Sequence, residues 1–148
     1  MAIAVRTAQA TWQGALATGT GTLRLGSGAT AALPVTWASR TEAPAGKTSP
    51  EELAAAAHSS CYAMALSLRL GARQAEPERL DITATVTLEE AGGVPTITSS
   101  HLKVTARVPG LDPGGFDAAV SEASELCPVS RLFAGATVTV AAALDQAP

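Results

Sequence analysis

Short runs in which apolar and polar residues alternate occupy the first 38 positions of the chain, and glycine-rich turns separate them. The three runs are IAVRTAQATW, TGTLRL and TAALPVTW, with GSG at 26–28 between the second and the third. Alternation with period two is typical of a strand with one buried face, and Gly-rich segments are typical of turns. We therefore predict an antiparallel meander of three strands.

The next segment, residues 40–50, reads RTEAPAGKTSP and has no periodicity, so we expect a surface loop. A helix start comes directly at its end. Ser49 is in the N-cap position, Pro50 is in the first helical position, and Glu52 completes a Ser-x-x-Glu capping box. These residues give the best-marked boundary in the chain.

This helix is predicted to run from Pro50 to about Leu70 and to stop at Gly71. Apolar residues recur along it at spacings of four, four, three and four, which describe one face of a helix. That face contains Leu53, Ala57, Cys61, Met64 and Leu68. Cys61 is therefore expected to point inward from the middle of the apolar face.

Two strands, a second helix and a last strand are predicted in the C-terminal half. Residues 81–90 and 96–108 alternate well enough for a hairpin around AGGVP, and LDPGG at 111–115 opens the helix. Pro128 places Cys127 at or near the end of that helix, before a short turn and the strand ATVTVAAAL. The buried stripe of this helix is expected to contain Phe116, Val120, Ala123 and Cys127.

The element order β-β-β-α-β-β-α-β predicts an α+β fold in which antiparallel sheets pack on two central helices. The 148 residues fit one domain, 1–148, and no repeat or linker divides them. A hydrophobic share of 47% excludes a disordered chain, and an aromatic share of 3% indicates a core of Ala, Val, Leu and Ile. A core of such small side chains often depends on a partner subunit.

The charge of the chain excludes some partners. The net charge is −3 and there is no run of Lys or Arg, so neither nucleic acid nor a membrane surface is expected as a partner. No apolar segment approaches a membrane span and the N-terminus lacks a signal-peptide pattern, so a cytoplasmic protein is expected. In that reducing setting, cysteines are core residues, metal ligands or redox-active thiols more often than permanent disulfides.

The two cysteines, Cys61 and Cys127, lie 66 residues apart, each on the inner face of its own predicted helix. A shared core would bring them together, although such a pair taken alone is more often ordinary packing. Structural zinc is disfavoured because the cysteines and histidines lack the ligand spacing of zinc sites. These residues are His58, Cys61, His101 and Cys127. His58 is interpreted as a polar residue of the helix surface, and no metal or cofactor is expected.

Position within the helices gives the cysteines different expected roles. A thiolate in the middle of a helix needs a nearby cation, whereas a cysteine at a helix C-terminus faces the negative end of the dipole. If one cysteine is the nucleophile, Cys61 is the better candidate, and Cys127 becomes the resolving thiol. Arg40, in the loop upstream, is a candidate cation because a guanidinium stays charged when desolvated, although a single loop arginine is more often simply solvated.

Two segments of the chain resemble the OsmC/Ohr family of peroxide-reducing proteins. They are SPEELAAAAHSSCYAMALSLRLG at 49–71 and LCPVSRLF at 126–133. TWQG near the start and VPGLD before the second helix fit the same family in the same order. The His-Ser-Ser-Cys-Tyr context is more similar to the OsmC branch than to the Ohr branch. The resemblance extends over the whole chain.

The resemblance implies an organic hydroperoxide reductase that works as an intertwined homodimer. Cys61 would attack the peroxide, Cys127 would resolve the sulfenic acid into a disulfide, and an external dithiol, small or lipoyl-type, would reduce that disulfide. Glu51 and Arg40 would set up the first thiolate. Arg24, on a predicted strand, is the alternative to Arg40.

Helix geometry adds a constraint on Glu51. It precedes Cys61 by ten residues, which corresponds to about 15 Å along one helix. The simplest way to bring the two together is a pair of antiparallel helices from two copies of the chain, each supplying Glu51 to the other's cysteine. Alternatively, Glu51 is a first-turn acid that complements the helix dipole.

Two other functions stay compatible with the sequence. One is a non-catalytic protein that binds a lipid or another small apolar ligand in a pocket lined by the cysteines. The other is a general thiol–disulfide oxidoreductase, which the absence of a Cys-x-x-Cys motif disfavours.

Overall fold

The computed structural model describes residues 1–146. Their elements, in chain order, are β1 (Ala8–Gln13), β2 (Thr20–Leu25), β3 (Leu33–Val35), α1 (Trp37–Thr41), α2 (Pro50–Gly71), β4 (Arg79–Ala91), β5 (Val94–Arg107), α3 (Pro113–Leu126), α4 (Pro128–Leu132) and β6 (Thr137–Leu144). The predicted order is confirmed except for two added five-residue helices, α1 and α4. The chain forms two compact units, Met1–Leu53 and the part from Ala54 onward.

The first unit contains the predicted antiparallel meander, in the order β1-β2-β3. Trp12 of β1 lies directly opposite Gly21 of β2. A Cβ atom at position 21 would lie 2.8 Å from the Trp12 ring and 2.7 Å from Val35 Cγ1. Glycine is therefore required there, because any side chain would collide with the indole that covers the strand.

The short helix α1 was not predicted, and it replaces the start of the expected loop 40–50. Its N-terminus is a capping box in which the Ser39 N–H donates to Thr36 Oγ1 and the Thr36 N–H donates to Ser39 Oγ, both at 3.0 Å. The N3 residue of α1 is Ser39, whereas a capping box usually has Glu or Gln at N3, so the sequence did not indicate this helix start. The helix fixes the position of Arg40 in its last turn.

Helix α2 begins as predicted. The Glu52 N–H donates to Ser49 Oγ at 3.2 Å, which is the expected cap. The other half of the predicted capping box does not form, because the Glu52 carboxylate accepts from the Thr48 hydroxyl at 2.9 Å and not from the Ser49 N–H. The helix continues without interruption from Pro50 to Gly71, so Glu51 and Cys61, ten positions apart, lie on one helix, as expected.

The face that α2 buries differs from the predicted one. Met64 is 72% exposed and Leu68 is 61% exposed, while Cys61 is half-buried at the edge of the buried face. The buried residues are His58, Tyr62, Ala65, Leu66 and Leu70. Apolar residues lie on two faces of α2, and the predicted face was the one that contains Met64. The face that is actually buried contains His58 and Tyr62, whose polar groups made it appear less apolar in the sequence.

The second unit contains a mixed sheet in the order β4-β5-β6. β4 and β5 form the predicted antiparallel hairpin, whose turn contains Gly92 and Gly93 with positive φ. β6 runs parallel to β5, with Ser99 opposite Thr137, so the prediction of purely antiparallel sheets is wrong here. Helices α3 and α4 connect β5 to β6, and a crossover of this kind returns the chain in the same direction.

Helix α3 starts where predicted, with the Asp112 side chain accepting from the Gly115 N–H at 2.8 Å. Its predicted buried stripe is confirmed except that Val120 is only half-buried. The core of the second unit is formed by α2, α3 and β5. Its fully buried apolar residues include Tyr62, Leu66, Leu70, Leu102, Val104, Ala106, Phe116, Ala119 and Ala123.

Within residues 1–146, no helix combines the length and apolarity that crossing a membrane requires.

Candidate active site

Cys61 and Cys127 lie next to each other, and both are free thiols. Both side chains pack in the core of the second unit, close enough for Cys127 to raise the pKa of Cys61. Cys127 is completely buried, whereas Cys61 is half-buried. The core of the second unit therefore brings together two cysteines that are 66 residues apart, as expected from the sequence.

Cys127 occupies the junction between two helices. It is the C-cap of α3, with its N–H donating to Ala123 O at 2.9 Å, and it is also the N-cap of α4. Its sulfur accepts a hydrogen bond from the Ser130 N–H at 3.4 Å. The expectation that Cys127 only faces the negative end of a helix is wrong, because Pro128 ends α3 and immediately starts another helix.

Three effects act on the pKa of the Cys61 thiol. Burial raises this pKa most strongly, a hydrogen bond from the Val129 backbone lowers it, and the neighbouring Cys127 raises it. The net direction is upward, which favours the neutral thiol. A reactive thiolate at this position therefore needs positive charge beyond the groups that set this pKa.

His58 is a buried residue, not the surface histidine that the sequence suggested. Its side chain is 0% exposed, its Nδ1 lies 2.6 Å from Ser100 Oγ, and its Nε2 lies 2.8 Å from Ser130 Oγ. The ring also lies 5.1 Å from the Phe133 ring, centroid to centroid. Burial lowers the pKa of His58, so the imidazole is neutral near pH 7. The sequence contained a signal for this burial, because His58, Tyr62, Leu66 and Leu70 follow one another at four-residue spacing and therefore share one face of the helix.

Tyr62 connects α2 to α3. Its hydroxyl donates to Val120 O at 2.9 Å and lies 3.3 Å from Ser124 Oγ. Burial raises the pKa of this phenol. Tyr62 is therefore a fully buried core residue whose hydroxyl has hydrogen-bond partners.

The first unit holds the two charged residues of the predicted site in one ion pair. Arg40 Nε lies 3.0 and 3.2 Å from the two Glu51 carboxylate oxygens, and Nη2 lies 2.7 Å from Oε1. The Glu51 side chain is 11% exposed, and the guanidinium lies 5.9 Å from the Trp37 ring centroid. Arg24, the alternative arginine, is exposed on β2 and is not part of this pair.

Arg40 also lines an apolar cleft of about 210 Å³ within the first unit. The cleft is bounded by Trp12, Leu16, Val35, Thr36, Trp37, Arg40 and Pro50. A cation at the edge of an aromatic and aliphatic surface is suited to a ligand that has one polar end and an apolar body.

Among residues 1–146, no group of three or more His, Cys, Asp or Glu side chains is arranged to hold a metal ion. His101, the other histidine considered for zinc, is exposed and lies 2.6 Å from Thr139 Oγ1 through its Nδ1. It is on β5, whereas His58 is on α2.

Residues 43–142 match the sequence model of the family described as OsmC-like protein. The chain belongs to the OsmC family. Peroxiredoxin OsmC from Escherichia coli strain K12 is 40% identical over 125 residues, which cover 84% of this chain and 87% of that protein. Peroxiredoxin OsmC from Shigella flexneri is similar to the same extent.

Solved structures confirm the α+β fold of this OsmC-family chain. The organic hydroperoxide resistance protein OsmC from Legionella pneumophila aligns with a TM-score of 0.72 at 22% identity, covering 98% of this chain and 99% of that one. The organic hydroperoxide resistance protein OhrB of Bacillus subtilis aligns with a TM-score of 0.67 at 25% identity, covering 94% and 98%. The resemblance found in the sequence is therefore confirmed.

Proposed function

We propose that this OsmC-family chain is a thiol-dependent peroxidase that reduces organic hydroperoxides to alcohols. The observation that carries the proposal is the pair of adjacent free thiols, one half-buried and one fully buried. The names of the relatives support it, since two are peroxiredoxins and two are organic hydroperoxide resistance proteins.

In the proposed cycle, the Cys61 thiolate attacks the terminal oxygen of R–O–O–H. The O–O bond breaks, Cys61 becomes a sulfenic acid, and the leaving alkoxide takes a proton to become the alcohol R–OH. The Cys127 thiol then attacks the sulfenic sulfur. The S–O bond breaks, an S–S bond forms, and the thiol proton leaves with the oxygen as water. An external dithiol reduces the disulfide and is itself oxidised.

The exposure of the two thiols supports this assignment of roles. The nucleophile has to meet a substrate from solution, and Cys61 is the more accessible sulfur. The resolving thiol meets only a sulfur of its own chain, so full burial of Cys127 is compatible with its role. Burial also protects Cys127 from direct oxidation.

Activation of Cys61 is assigned to Arg40, which Glu51 orients. A bidentate carboxylate fixes the plane of a guanidinium, so the remaining nitrogen, Nη1, is the donor that we assign to the peroxide. The positive charge would lower the pKa of the Cys61 thiol, opposing the effect of burial.

A homodimer is part of the proposal, with Arg40 and Glu51 of one copy serving Cys61 of the other. Glu51 and Cys61 are ten positions apart on α2, so the pair cannot meet along one helix. Met64 and Leu68 form an exposed apolar stripe on the same helix, which is the kind of surface that a second copy covers. We retain the predictions of one domain, 1–148, and of a cytoplasmic location.

The substrate class follows from the cleft beside Arg40. Its aromatic and aliphatic walls would take the alkyl part of a hydroperoxide, while the guanidinium would bind the peroxide oxygens. Hydrogen peroxide has no alkyl part, so contact with these apolar walls would add no binding free energy for it. We therefore expect a preference for organic hydroperoxides, whose value of kcat/KM should rise with the apolar surface of the alkyl group.

The test is a mass measurement on reduced protein after one equivalent of tert-butyl hydroperoxide. The proposal expects the loss of two hydrogen atoms and a disulfide between Cys61 and Cys127. Cys61→Ser should not react, and Cys127→Ser should react once and stop at the sulfenic acid of Cys61, which a second equivalent of hydroperoxide would oxidise to sulfinic acid. An unchanged mass of the wild type would favour a protein that binds an apolar ligand without catalysis. Turnover with dithiothreitol, glutathione and dihydrolipoamide would then identify the class of reductant.

A further inference from the structure

His58 has no role in the cycle described above, yet both of its ring nitrogens have hydrogen-bond partners and it lies one helical turn before Cys61. It is fully buried, and each ring nitrogen meets a different hydroxyl. Ser100 belongs to β5 and Ser130 belongs to α4. One imidazole therefore connects three elements of the second unit.

The connection to Ser130 leads directly to the resolving cysteine. The Ser130 hydroxyl contacts His58 Nε2 at 2.8 Å, and the N–H of the same residue donates to Cys127 Sγ at 3.4 Å. The residue before it, Val129, hydrogen-bonds the Cys61 thiol through its backbone. The first turn of α4, which His58 contacts through Ser130, therefore also contacts both sulfurs.

A second hydrogen-bonded contact joins α2 to α3, the helix that precedes Cys127. Tyr62 binds Val120 and Ser124 on α3, whereas His58 binds α4, and Cys127 is the residue between those two helices. Cys61 stands between His58 and Tyr62 in the sequence of α2. The helix that carries the nucleophile therefore also fixes both helices that meet at the resolving thiol.

We propose that His58 is a positioning residue: through Ser130 it holds the resolving thiol, Cys127, within reach of the oxidised Cys61. The inference rests on the proposed two-cysteine cycle and deepens it. Of the two hydroxyl contacts of His58, only the one from Nε2 to Ser130 leads to α4, and it transmits the position of the imidazole to the Cys127 turn. His58 is not one of the reacting groups of the proposed cycle, so its expected effect on the chemistry is on the rate of disulfide closure.

Closure can be measured without peroxide, by mixing reduced protein with oxidised glutathione. The exposed edge of Cys61 forms a mixed disulfide and releases one glutathione. Cys127 then attacks the Cys61 sulfur, the second glutathione leaves as a thiol, and the intramolecular disulfide forms. Acid quenching followed by mass spectrometry counts the mixed disulfide and the closed form over time.

Ser130→Ala and Ser100→Ala are a matched pair, because each removes one hydroxyl partner of His58 and leaves the backbone N–H groups in place. In Ser130→Ala we expect closure to slow by roughly tenfold or more, so that the glutathione adduct accumulates. In Ser100→Ala and in the exposed control His101→Ala, closure should stay within about threefold of the wild type. His58→Gln, whose amide reaches the Nε2 position, should close faster than His58→Asn, whose amide reaches only the Nδ1 position.

Wild-type closure in Ser130→Ala would overturn the inference. Equal slowing in Ser130→Ala and Ser100→Ala would also overturn it, since that result indicates general loosening of the core. If the wild type closes with glutathione as expected but consumes no hydroperoxide, the proposed peroxidase function fails while the positioning role of His58 stands.

Discussion

The Arg40 guanidinium directs two of its nitrogens at one oxygen of Glu51, with Nε at 3.0 Å and Nη2 at 2.7 Å from Oε1. The Glu51 side chain is mostly buried, whereas the Arg40 side chain is 30% exposed. Glu51 therefore fixes the orientation of Arg40, and Arg40 is the more solvent-accessible residue of the pair. Eleven positions separate the two residues, and the loop between α1 and α2 brings them together.

This ion pair makes the identity of the cation testable. Arg40→Lys keeps the charge but loses the planar fork, so kcat/KM for an organic hydroperoxide should fall by about 100-fold or more. Glu51→Gln should lower it by a smaller factor, roughly tenfold, because the arginine remains but is no longer held by a charged partner. Steady-state turnover with a dithiol measures both.

Arg24→Lys is the control for these variants, since Arg24 is an exposed strand residue. Its kcat/KM should equal that of the wild type. Loss of activity in Arg24→Lys together with normal activity in Arg40→Lys would transfer the proposed role to the other arginine.

Acid should destabilise the protein through His58. Burial lowers the pKa of His58 below its ordinary value of about 6.5, so below about pH 6.5 the unfolded chain binds a proton that the folded chain does not. The free energy of unfolding should therefore fall as the pH decreases from about 7 to about 5.5. The groups in contact with the ring are two serine hydroxyls and an aromatic ring, and none of them offsets a positive charge.

Urea unfolding at several pH values measures this effect, with His58→Gln as the comparison. The variant lacks the titrating group, so its free energy of unfolding should change less over the same interval. Parallel pH profiles for the two proteins would contradict the assignment of the effect to His58.

The exposed stripe of α2 makes the dimer testable. Met64→Asp should produce monomers in analytical ultracentrifugation and should lower peroxidase activity, because the proposed site needs both copies. Val94→Asp is the matched control, since Val94 is 60% exposed at the hairpin turn. A dimer that survives Met64→Asp with full activity would place the interface elsewhere.

The Tyr62 hydroxyl should contribute to stability more than to chemistry. Tyr62→Phe removes its hydrogen bond to Val120 O, and the free energy of unfolding should fall by about 1 kcal/mol. The loss is moderate because the Ser124 hydroxyl also donates to that carbonyl, at 3.0 Å. Urea denaturation measures the change, and a loss of more than about 3 kcal/mol would show that the ring itself has repacked.

The starts of both long helices were predictable because the chemistry that sets them is local. Ser49 and Asp112 each accept a backbone N–H three residues later, and each is followed by a proline in the first turn. Such signals involve only a few neighbouring residues, so they can be read from the sequence. The capping box at Thr36 was equally local but used serine in place of an acid.

Features that depend on distant parts of the chain were not predictable. The direction of β6 depends on how the crossover through α3 and α4 meets the sheet, and the buried face of α2 depends on what packs against it. His58 was misinterpreted for the same reason: its partners, Ser100 and Ser130, lie 42 and 72 residues away. The two cysteines were correctly predicted to meet because their helices share one core, although Cys61 lies at the edge of the buried face of α2 and not in its middle.

Cys127 is both the C-cap of α3 and the N-cap of α4, and this double position has a consequence for the stability of the chain. Serine is among the best N-cap residues, whereas a thiol is a weak acceptor, so a hydroxyl at position 127 would hold the Ser130 N–H more firmly. The serine variant that removes the resolving step should thus unfold at a higher urea concentration than the wild type. On the proposed mechanism, the redox chemistry of Cys127 would be kept at the expense of a stronger helix start.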